Sequence, residues 1–178
     1  IQKFYIASDM CTDDMWMGNT TQDPGEYRDL AHYTGNTYNA GNACQNFWQY
    51  RYKGILRSNV AIEQIPKVVF ENESLKKRYI AEAKFLRAFH YFELVRNFGG
   101  VPLVLGLKLP SEITGIKRAT VEDTYAQIEK DLLEAIPDLP KRSEYDAMDL
   151  GRATKGAAQG YLAKAYLYQG KYTEAEPL

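Results

Sequence analysis

Residues 80–102 read I-A-E-A-K-F-L-R-A-F-H-Y-F-E-L-V-R-N-F-G-G-V-P, and this stretch decides the fold. From Phe85 onward, Phe85, Leu86, Phe89, Tyr91, Phe92, Leu94, Val95 and Phe98 point all round a helix instead of along one stripe. A helix that is apolar on every side is a buried one. Ala81, Ala83 and Ala88 favour the helical backbone and let neighbouring helices approach closely. The helix is expected to stop at Gly99-Gly100, because glycine reaches a left-handed cap without steric cost. Pro102 then blocks a restart and pushes Val101 towards extended geometry. Such a segment is the central helix of an all-helical (all-α) domain.

The rest of the composition sets bounds. The chain of 178 residues is long enough for one domain with a useful core, residues 1–178 being taken as a single unit. A net charge of −1 gives no electrostatic footprint for nucleic acid. No apolar run approaches the length of about 18 residues that reads as a membrane-spanning helix. The 14 tyrosines are too many for a core alone, since each buried hydroxyl needs a partner, so some rings belong at the surface.

Residues 1–43 are loop-rich and residues 44–178 are helical. Gly18, Pro24, Gly25, Gly35 and Gly41 break the first part, and Asn19, Asn36, Asn39 and Asn42 favour turns. A loop this long in a compact domain is functional or disordered, and Tyr27, Tyr33 and Tyr38 argue against plain disorder. A helical pattern then runs from Cys44 to Ile65, and Asn72 or Ser74 can cap the central helix. Leu103 to Ile116 is expected to cross the surface as an extended connector. Thr120 and Asp123 resemble a capping box, and Val121, Tyr125, Ile128, Leu132 and Ile136 make the cleanest amphipathic helix. A last helix spans about Ala153 to Gln169. Thr173-Glu174-Ala175 begins another, so the chain is expected to be truncated within a helical hairpin.

Ala157-Ala158-x-Gly160-x-Leu162-Ala163-x-Ala165-Tyr166, followed by Gly170-x-Tyr172-x-x-Ala175, resembles a tetratricopeptide repeat. Small residues let its two helices pack closely, and Tyr166 and Tyr172 are expected to fill the gaps. A more specific resemblance lies in Glu82-Ala83-Lys84-Phe85-Leu86-Arg87-Ala88 with Tyr91-Phe92-x-Leu94-Val95-x-x-Phe98-Gly99-Gly100-Val101-Pro102-Leu103. It continues through Arg118-Ala119-Thr120-Val121, Ile128 to Ala135 and Gly151 to Ala158, and upstream through Trp48-x-x-x-Tyr52-x-x-Ile55-x-x-x-Asn59. Together these segments resemble the SusD/RagB family of outer-membrane nutrient-binding lipoproteins of the Bacteroidetes. The resemblance implies a tetratricopeptide-like scaffold on the outward-facing cell surface. It further implies capture of oligosaccharides without bond cleavage, and a SusC-like TonB-dependent transporter as partner. The family's anchoring cysteine and its second half, which supplies much of the ligand surface, are missing from this sequence.

Few residues suggest chemistry. No C-x-x-C occurs and His32 and His90 are far apart, so neither a metal site nor a cofactor is expected. No G-x-S-x-G or phosphate loop is present, and the adjacent Asp13 and Asp14 point apart, unlike a glycosidase pair. No catalytic residue is assigned. Sugar binding wants flat aromatic faces with amides, carboxylates or guanidinium groups for the hydroxyls. Asp14, Trp16, Tyr27, Arg28, Tyr33, Tyr38, Asn39 and Asn42 supply that mixture. The alternatives are tyrosines that plug the loop onto the helices, or a tetratricopeptide-like protein–protein adaptor with no glycan role. Glu82 and Arg87 are expected to pair with backbone or a neighbouring helix. Cys11 and Cys44, if joined, would close a loop of about 33 residues, worth roughly 3–4 kcal/mol.

Overall fold

The computed structural model describes residues 42–178 together with Asp9, Thr12 and Asp13. It divides into two compact units, Ile1–Tyr50 and Arg51–Leu178. In the first, Thr12 closes a turn by donating its hydroxyl to the Asp9 carbonyl at 2.7 Å. Cys44 there is an exposed free thiol, while Cys11 lies outside the described residues.

The helices are α1 (Asn42–Gln64), α2 (Glu73–Phe98), α3 (Pro110–Ile113), α4 (Val121–Ala135), α5 (Lys155–Tyr168) and α6 (Tyr172–Ala175). Short 3-10 turns follow α1 and α4, where Pro66 and Pro137 forbid another α turn. Among the described residues there is no strand, only an isolated bridge between Pro102 and Arg118. The all-α, tetratricopeptide-like expectation holds.

Local chemistry sets the helix ends. Of the two possible caps for α2, Asn72 does the work: its side chain accepts the Leu75 amide at 3.0 Å. At the other end Gly99 takes φ +71°, and its amide bonds the Val95 carbonyl at 2.9 Å. Thr120 accepts the Asp123 amide at 3.0 Å, and Glu122 and Asp123 place negative charge on the first turn of α4. Thr154 caps α5 by accepting the Ala157 amide at 3.1 Å.

In the second unit α2 is the hub. Antiparallel to it runs α1, with Arg51 over the Phe89 ring, Gly54 against His90 and Asn59 bonded to Arg87. On another side lies α4, where Phe92 meets Tyr125 edge-on with ring centroids 6.3 Å apart. Tyr161 of α5 packs edge-on to Phe85, Phe89 and Phe92. Tyr91, Phe92, Leu94, Ile128, Leu132 and Leu162 are each at most 1% exposed. Burying a side chain of this size stabilises by about 1.5–3 kcal/mol.

Three expectations need correction. The connector is not extended throughout, because Pro110–Ile113 forms the short helix α3. Leu86 is 47% exposed, so α2 is not covered on every side. Tyr172 does not fill a gap between helices and is 69% exposed. Gly170, at φ +73°, reverses the chain so that Lys171 instead reaches back, its ammonium 2.6 Å from Glu129 of α4.

Candidate functional site

Seven of the eight residues expected to bind glycan, Asp14, Trp16, Tyr27, Arg28, Tyr33, Tyr38 and Asn39, lie outside the described residues. Asn42 is the first residue of α1. The described part therefore shows the scaffold on which those residues are carried in sequence.

The most organised polar feature of that scaffold is a clamp on the connector after α2. A segment without ladder partners must still satisfy its backbone N–H and C=O groups. Here side chains do so. Tyr52 donates to the Pro102 carbonyl at 2.8 Å. The Tyr91 hydroxyl accepts the Val104 amide at 2.8 Å and donates to the Val104 carbonyl at 3.1 Å. Asn59 donates to the Val104 carbonyl at 2.8 Å, and Arg87 donates to the Leu105 carbonyl at 3.2 Å. Glu63 accepts the Leu107 amide at 2.7 Å. Burial pushes the Tyr91 hydroxyl up to about 12, and the Tyr52 hydroxyl is also raised, chiefly by burial. Both stay protonated donors.

Arg87 ties this clamp to α4. Its guanidinium meets both Asp131 oxygens at 2.7 Å and the Asn59 side-chain oxygen at 2.9 Å. Burial opposes the charge, but the Asp131 bonds outweigh it and the Arg87 pKa is raised. Glu82 is held by Arg152 and lies 3.3 Å from the Tyr145 hydroxyl. Both groups are structural, as expected from their place on the buried helix.

The clamp residues Tyr52, Asn59 and Tyr91 were not anticipated as a group. Their signal is a buried amide and two tyrosines beside a Gly-Gly-x-Pro segment that cannot continue the helix. Arg118 completes the arrangement by donating to the Phe98 and Gly100 carbonyls at the end of α2.

A third cluster joins α1, α2 and α5. Glu93, 2% exposed, accepts from Arg96 at 2.5 Å and lies 3.9 Å from the Arg51 guanidinium. Burial, reinforced by Arg51, lowers His90 from 6.5 to about 4, so its imidazole is neutral at pH 7. Among the described residues no group of three or more His, Cys, Asp or Glu side chains is arranged to hold a metal ion. No helix there is long and apolar enough to cross a membrane.

This scaffold matches known proteins. A family model described as "Starch-binding associating with outer membrane", of the SusD-like type, covers residues 4–167. The chain belongs to the SusD-like family. A SusD-like protein of Formosa agariphila is 32% identical over 130 residues, 72% of this chain and 25% of that protein. A SusD-like protein of Bacteroides ovatus is 37% identical over 98 residues, 54% of this chain and 17% of that one. The chain thus spans about a quarter or less of the length of these SusD-like relatives. Among solved structures, a laminarin-binding SusD-like protein superposes with a TM-score of 0.80 at 37% identity, covering 89% of this chain and 33% of its own. Surface glycan-binding protein A from Bacteroides uniformis gives 0.79 at 27% identity, over 93% and 36%. The SusD-like scaffold and its glycan-binding relatives are therefore common ground.

Proposed function

We propose that this chain is part of a non-catalytic, lipid-anchored protein on the outer face of the outer membrane. It captures an oligosaccharide and hands it to a SusC-like TonB-dependent transporter. The observation that carries the reading is membership of a SusD-like family described as starch-binding and outer-membrane-associated. Support for a saccharide ligand comes from relatives named as binding laminarin or surface glycan. Residues 1–178 act as one SusD-like helical domain, with residues 1–43 as the loop-rich part. Within it, Asp14, Trp16, Tyr27, Arg28, Tyr33, Tyr38, Asn39 and Asn42 offer aromatic faces and hydrogen-bonding groups to the sugar.

The described charged clusters fit a holding role. Arg87, Asp131, Glu82 and Arg152 are engaged with one another or with backbone. A glycosidase needs two carboxylates free to face a sugar bond. A glycan array on the full-length protein, with chromatography of the recovered sugars, tests the binding half of the reading. Affinity purification from solubilised outer membranes tests the transporter half. Intact recovered glycan and a co-purifying TonB-dependent barrel are the expected results. Shortened sugars would mark an enzyme, and a protein partner with no glycan bound would favour the adaptor.

A further inference from the structure

We draw no further inference here: the strongest candidate, the surface patch of exposed aliphatic side chains along α1 and the connector (Leu56, Val60, Leu105, Leu107 and Leu109), carries nothing because nothing in the structure shows what covers it.

Discussion

Arg87 of α2 and Asp131 of α4 meet in a two-pronged pair with both nitrogen–oxygen distances at 2.7 Å. Their side chains are 8% and 1% exposed. The same guanidinium reaches Asn59 of α1 and the Leu105 carbonyl. One side chain therefore joins two helices and the connector to the hub helix.

Removing one member strands the other. Arg87→Met should cost about 3–5 kcal/mol, because it leaves the Asp131 carboxylate buried without its partner. The double variant Arg87→Met with Asp131→Leu should recover much of that loss. Urea unfolding of the three proteins checks this. A single-variant cost below about 1 kcal/mol would mean that the pair is not a strut.

The clamp on the connector can be loosened by one atom. Tyr91→Phe removes the hydroxyl that serves both the Val104 amide and its carbonyl. The expected cost is about 1–3 kcal/mol, and hydrogen exchange at the Val104 amide should speed up more than exchange in α4. Unchanged protection at Val104 would count against the clamp.

Gly100 is required by space. A methyl group there would collide with the Ala119 carbonyl across the turn. Gly100→Ala should lower the melting temperature, whereas alanine at Gly160, where nothing lies within 4 Å, should be tolerated.

His90 makes stability depend on pH. Its folded pKa of about 4 lies below the ordinary 6.5. The unfolded chain therefore binds the extra proton first as pH falls. Stability from this group is intact above about pH 6.5 and is lost as pH drops through 4. The difference is on the order of 3 kcal/mol. Chemical unfolding at pH 7 and pH 4.5, with His90→Phe as reference, measures it. An equal pH response in both proteins would contradict the assignment.

Much of this architecture was legible in the sequence for physical reasons. Asn72 and Thr120 mark helix starts because their side-chain oxygens can take an orphan amide. The apolar period of α4 gave Ile128 and Leu132 as core, and both are buried. Residues 82 and 87 were readable as paired, since unpaired charge on a buried helix is too costly. Their partners Asp131 and Arg152 were not, because contacts across 44 and 70 positions leave no local pattern. The exposure of Leu86 and Tyr172 was hidden for a similar reason. Composition says that a ring or branched chain prefers burial, but not which side of a helix its neighbours leave open. The glycan-facing set rests on residue type alone, and only Asn42 of that set falls within the described residues.

The central claim is glycan capture without cleavage through the aromatic residues before α1. Calorimetric titration of the full-length protein with laminarin and with starch oligosaccharides tests it directly, repeated with Trp16→Ala, Tyr33→Ala and Tyr38→Ala. Saturable binding is predicted, with sugars recovered intact and affinity falling several-fold per ring lost, about 0.5–1.5 kcal/mol each. Binding of equal strength in all three variants would contradict the assigned residues. Absence of binding to any glycan, or release of shorter sugars, would contradict the account itself.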